Sequence, residues 1–96
     1  MKKLPKGIGN LYNLKKLEIY SDDLEELPSE IGNLINLEIF KISDNKKLKE
    51  FPKGIGNLNN LKSFNLIWRK NINKLPKEIL NLNKLKDIQI YHYFDR

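Results

Sequence analysis

Four prolines, Pro5, Pro28, Pro52 and Pro76, stand 23, 24 and 24 residues apart, and each is followed by the same pattern. An isoleucine comes three residues later (Ile8, Ile31, Ile55, Ile79), then an asparagine (Asn10, Asn33, Asn57, Asn81) and a leucine (Leu11, Leu34, Leu58, Leu82). Self-similarity at a period between about 20 and 50 residues marks a solenoid, in which one unit cannot bury its apolar face alone and must stack on its neighbours.

The segment after each of these turns sharpens the reading. In the second unit Leu37, Phe40, Ile42, Asn45 and Leu48 nearly reproduce L-x-x-L-x-L-x-x-N-x-L, with one extra residue before the last Leu. The first unit has Leu14, Leu17, Ile19, Asp22 and Leu24 at that spacing, with Asp in place of Asn. On these residues the chain resembles the leucine-rich repeat family over almost its whole length. The resemblance implies an α/β fold: a leucine-rich repeat solenoid of about four repeats, with short parallel strands on the concave face and short helical or 3₁₀ turns on the convex face. It also implies a binding scaffold rather than an enzyme. The LPxxIGNL form is similar to the subclass typified by intracellular plant and Ras-associated repeats, which is also common in bacteria. A single domain over residues 1–96 is expected, with repeat phases starting near Leu4, Leu27, Phe51 and Leu75. It is read either as the whole protein or as a fragment of a longer one.

Composition excludes several classes. No apolar run exceeds three residues, so no segment can form a membrane-spanning helix. MKKLPKGIG has no apolar stretch of the kind a signal peptide needs, which leaves the compartment unknown and the cytoplasm as the default. Cysteine is absent, and disulfides, thiolate metal sites and cysteine nucleophiles go with it. The net charge of +6 lies wholly in the second half: residues 1–48 hold eight Lys against eight acids, residues 49–96 eight Lys and two Arg against four acids. These lysines are dispersed rather than clustered, as on a solubilising surface, and no specific nucleic-acid site is expected.

Within each unit, Lys6 to Asn13 and its equivalents read as a short 3₁₀ or helical turn, since Gly7 and Gly9 disfavour a long helix. Strands are expected over Leu14–Tyr20, Leu37–Ser43, Leu61–Ile67 and Leu85–Tyr91. Alternation turns Leu17, Phe40, Phe64 and Ile88 inward and Glu18, Lys41, Asn65 and Gln89 to the concave face, with Glu18 and Lys41 facing each other as an ion pair. Asp22, Asn45, Arg69 and Tyr93 fall where the family has its turn asparagine; Asp22 can accept such bonds but not donate them, and Arg69 and Tyr93 cannot sit there in the same way, so the third and fourth turns are expected to deviate. The extra residue of the second and third units is expected among Asp44–Lys47 and Trp68–Asn71 as a widened loop, and the four GNL asparagines to cap or bridge convex backbone.

No catalytic constellation is present. His92 is the only histidine, and neither GxSxG nor HExxH occurs. KGIGNL lacks the Lys-Ser/Thr ending of a phosphate loop, and the pairs Asp22/Asp23 and Glu25/Glu26 read as solvated charge. No cofactor, metal or enzymatic activity is expected.

The concave surface is left as the candidate site. A second outward row runs Tyr20, Ser43, Ile67, Tyr91, and beside it at the strand ends lie Ser21, Asp44, Trp68 and His92, with Arg69 at the rim. Trp, Tyr and Arg are enriched at binding hot spots. Tyr20, Lys41, Asp44, Ile67, Trp68, Arg69, Tyr91 and His92 are therefore the expected contacts for a protein partner of unknown identity, the alternative for Trp68 being local packing. The competing function is a self-associating structural repeat whose uncapped ends dimerise or stack. Leu85, Ile88 and Ile90 have little sequence after them to cover them, which points to a homo-oligomer through the C-terminal repeat with Tyr93 and Phe94 in the contact.

Overall fold

The computed structural model describes residues 3–45, 47–68 and 77–92, and of Asp44, Trp68 and His92 it describes the backbone alone. Each repeat opens with a 3₁₀ turn: Lys6–Asn10, Ser29–Asn33, Lys53–Asn57 and Lys77–Asn81. The regular spacing of Pro, Ile, Leu and Leu has a direct cause. The Pro5, Pro28 and Pro52 carbonyls each accept the N–H of the Ile three residues on, at 3.0–3.2 Å. That isoleucine's carbonyl then accepts the N–H of the next Leu, and the Leu carbonyl that of the Leu after it. A chain of i to i+3 bonds has three residues per turn, so side chains at this interval share one face. Proline suits the first position because its ring holds φ near −65° and it brings no N–H to satisfy; Pro5, Pro28 and Pro52 lie at φ −66°, −69° and −68°.

Four parallel strands follow, β1 (Lys16–Tyr20), β2 (Ile39–Asn45), β3 (Ser63–Trp68) and β4 (Asp87–His92), in one sheet of order β1-β2-β3-β4. They start two residues later than the alternation predicts. Leu14, Leu37, Leu61 and Leu85 still belong to the turn, each spending its N–H on the Leu three residues before it. The sheet then opens with a shared acceptor at every step. The Lys15 carbonyl takes the N–H groups of Glu38 and Ile39, that of Glu38 takes those of Lys62 and Ser63, and that of Lys62 takes those of Lys86 and Asp87.

The core is a column between sheet and 3₁₀ turns, densest in the second and third repeats, where Ile31, Leu34, Leu37, Phe40, Ile42, Ile55, Leu58, Leu61, Phe64 and Leu66 are fully buried. Phe40 and Phe64 meet edge to face at 5.8 Å, and Phe51 caps Phe64 at 6.0 Å in the same manner. The last repeat departs from expectation. Ile88, read as interior, is 42% exposed, and Ile90 is 37% exposed, because β4 is the outer strand and no following unit covers them among the described residues.

On the convex side the turns stack backbone against backbone, which is why glycine recurs there. A Cβ on Gly9 would lie 2.8 Å from the Glu30 carbonyl oxygen, one on Gly32 2.5 Å from that of Gly54, and one on Gly56 2.9 Å from the Glu78 Cβ. In the fourth repeat the same position is Leu80, which stands 69% exposed.

The turn asparagine behaves as its chemistry requires. Asn45 is buried; its Nδ2 donates to the carbonyls of Ser21 (2.8 Å) and Leu24 (3.0 Å), and its Oδ1 accepts the N–H groups of Lys47 (3.0 Å) and Leu48 (2.6 Å). Asp22, at the same position one repeat earlier, is exposed. The extra residue of the second repeat enters the sheet as a bulge rather than only the loop: Ile42 pairs with Leu66 but Asn45 with Trp68, so Ser43 and Asp44 stand opposite Ile67. The register partner of Asn45 is thus Trp68, not Arg69, and Arg69 and Tyr93 lie outside the described residues. The bulge also changes Ser43, expected on the concave surface and found buried. Bridges between convex loops come from Asn36, donating to the Tyr12 carbonyl (2.7 Å), and Asn60, donating to that of Ile35 (2.7 Å), with Lys84 bonded to Asn60 Oδ1 (2.8 Å). The GNL asparagines, expected in that role, are exposed.

Candidate functional site

Pairing register places the outward side chains of β1 to β4 in three rows. The first is Lys16, Ile39, Ser63, Asp87, the second Glu18, Lys41, Asn65, Gln89, and the third begins with Tyr20 and ends with Ile67 beside Tyr91. Because the strands are hydrogen-bonded along their length, these side chains stand on a stiff backbone and need little ordering to meet a ligand.

At the N-terminal end the rows form a polar cluster. Glu18 does not pair with Lys41, as expected across the strands. It bonds along its own strand, to Lys16 Nζ at 3.1 Å and to the Tyr20 hydroxyl, which donates to Glu18 Oε2 at 2.7 Å. Alternate residues of one strand share a face, and the two neighbours reach the carboxylate before Lys41 can. Lys41 turns instead to the Tyr20 ring, its Nζ 5.9 Å from the centroid, a cation–π arrangement. The Tyr20 hydrogen bond, the Lys16 bond and the nearby positive charge of Lys16 and Lys41 hold the Glu18 carboxyl below its ordinary 4.5. The same bond raises the Tyr20 phenol above its ordinary 10.0, since ionising it would set two anions side by side.

The signs follow from these directions. The depressed Glu18 value contributes to stability above its ordinary pKa, and the contribution is lost as pH falls through the folded value. The raised Tyr20 value contributes below its ordinary pKa, and is lost as pH rises through the folded one. A phenol absorbance titration, with Tyr20→Phe subtracted to isolate this ring, is expected to place Tyr20 above 10.0, and Glu18→Gln to bring it back down. Identical curves for wild type and Glu18→Gln would remove the cluster.

Further along, Asn65 Nδ2 donates to Ser63 Oγ and Ser63 Oγ to Asp87 Oδ2, both at 3.2 Å, tying β3 to β4 on the outer face. The first row was not among the expected contacts, although continuing the alternation back from Glu18 would have found it.

The structure brings together Tyr20 with Lys41, and Ile67 with Tyr91; Trp68 and His92 are register partners by backbone, and Asp44 sits in the bulge opposite Ile67. It separates Tyr20 from Tyr91 by three strand spacings, roughly 14 Å, so these two rings do not share one patch. Tyr20 is 62% and Tyr91 48% exposed. Arg69, Tyr93 and Phe94 lie outside the described residues.

A cavity of about 410 Å³ opens elsewhere, lined by residues including Lys3, Lys6, Glu26, Pro28, Glu30 and Pro52. Within it Lys3 and Glu26 already pair at 3.1 Å. Exposed pairs such as Lys3–Glu26 and Lys62–Glu38 join neighbouring repeats and contribute at most about 1 kcal/mol each. Among the described residues, no group of three or more His, Asp or Glu could hold a metal ion, and no helix is long and apolar enough to cross a membrane.

A search of curated proteins finds no match. The family model for a leucine-rich repeat region matches residues 1–95. With four registered repeats, each a 3₁₀ turn and a parallel strand, and a buried turn asparagine bridging two of them, the chain belongs to the leucine-rich repeat family.

Proposed function

We propose that the chain is a protein-interaction module that takes a protein partner on the outward face of β1 to β4. The observation that carries this reading is the exposure of Tyr20, Ile39 and Tyr91 on a rigid sheet whose core positions are already filled by Leu, Ile and Phe. Large side chains that the core does not use, held on stiff strands, offer contact area at low entropic cost. Tyr20 with Lys41 forms one contact point and Ile67 with Tyr91 the other, with Asp44, Trp68, Arg69 and His92 as the remaining members. The family supports a scaffold role rather than catalysis.

The reading is tested by affinity capture from the source cell with wild type and a folded Tyr20→Ser, Tyr91→Ser double variant. A protein held by wild type and lost by the variant supports the assignment; equal retention moves the site off this face. A second reading, association of two copies through the fourth repeat, is supported by the exposure of Ile88 and Ile90.

A further inference from the structure

We propose that two copies of this chain join their β4 strands antiparallel, across a two-fold axis at Gln89. The proposal rests on the reading that copies associate through the fourth repeat, and adds the symmetry and the register. Among the described residues β1 and β4 are the edges of the sheet, and an edge offers unpaired N–H and C=O groups to another strand. They differ in what lies behind them. The inward side chains of β1, Leu17 and Ile19, are half-buried and buried, whereas those of β4, Ile88 and Ile90, are both exposed.

Continuing the stack head to tail, with β1 of a second copy laid on β4, meets an obstacle on the convex side. At each internal step a glycine, Gly9, Gly32 or Gly56, lets the next turn approach to a distance at which a Cβ would clash. The fourth repeat has Leu80 there, so a second copy's first turn cannot seat at that spacing. An antiparallel edge imposes no such stacking of turn on turn.

The sequence of β4 is self-complementary in that arrangement. With Gln89 on the axis, Ile88 faces Ile90 of the second copy on the inward side, twice, extending the apolar layer across the junction. On the outward side Asp87 faces the second copy's Tyr91, and a Tyr hydroxyl donating to a carboxylate already occurs in this chain between Tyr20 and Glu18. Asp87 Oδ2 is engaged by Ser63, which leaves Oδ1 to accept. The two Gln89 amides, each donor and acceptor, can bond one another. Residues 77–92 carry three Lys against two acids, so like-charge repulsion at the junction is small despite the charge of the whole.

The absence of cysteine makes the register directly testable. Directly opposed residues of antiparallel strands have Cβ atoms about 4.5–5.5 Å apart, close to what a disulfide needs. Gln89 is exposed, so Gln89→Cys leaves the core untouched. Wild type is expected to sediment as a dimer at the upper end of a micromolar series. Under mild oxidation Gln89→Cys is expected to give a cross-linked dimer, at least about tenfold more than Glu18→Cys, whose strand is the other edge. Association without a cross-link at 89 overturns the register, and a cross-link only in a mixture of Gln89→Cys and Glu18→Cys shows head-to-tail stacking in its place. A monomer at every concentration overturns the association itself.

Discussion

Phe64→Ala is expected to lower the stability of the chain by about 3 to 5 kcal/mol, the usual result of truncating a buried Phe. Phe64 is fully buried and touches two aromatic rings, Phe40 at 5.8 Å and Phe51 at 6.0 Å. Removing the ring takes away apolar burial and leaves a void in the middle of the column, where the repeats on either side are held by their own hydrogen bonds and cannot collapse to fill it. Phe40→Ala falls in the same range, losing one ring contact instead of two. Lys41→Ala, one residue along and on the other face, is expected within about 0.5 kcal/mol of wild type, as for most surface substitutions. Chemical denaturation of the three variants measures the contrast. A large loss for Lys41→Ala beside a small one for Phe40→Ala would mean that the faces of β2 are exchanged, since a slip of one residue turns every side chain over.

Asn45→Ala is expected to cost about 3 kcal/mol or more, although it removes only a small polar group. Four backbone groups depend on that amide: the carbonyls of Ser21 and Leu24 and the N–H groups of Lys47 and Leu48. A buried backbone group left without a partner costs about 1 to 3 kcal/mol, and water can reach some but not all of a site that is only 1% exposed. Asn45→Asp separates the two halves of the role. The carboxylate still accepts from Lys47 and Leu48 but turns two acceptors against one another at Ser21 and Leu24. Its folded pKa is therefore raised above the ordinary value of about 3.9. With the folded value raised, this variant gains stability relative to wild type as pH falls through it and loses it as pH rises. Melting Asn45→Asp and wild type at neutral and acidic pH checks the sign. A gap that stays constant with pH would show that the donor bonds carry little.

Much of this architecture is written in the period. Proline, isoleucine and leucine at intervals of three are the residues of successive i to i+3 bonds, and alternation after each turn sorts Leu17, Phe40 and Phe64 from Glu18, Lys41 and Asn65. Both are local matters of backbone geometry, which is why composition and spacing were sufficient to read them. The hydrogen-bonding capacity of Asn45, and its difference from Asp22, could likewise be read from the side chain alone.

What the tertiary structure decided are the choices made between neighbours. Glu18 had Lys16, Tyr20 and Lys41 within reach, and the strand's own alternation settled on the first two. The extra residue of the second repeat could have lengthened a loop; pairing with β3 drew it into the sheet, burying Ser43 and bringing Trp68 level with Asn45. Ile88 has the pattern of a core residue and the exposure of a surface one, because burial in a repeat belongs to the unit that follows and not to the residue itself.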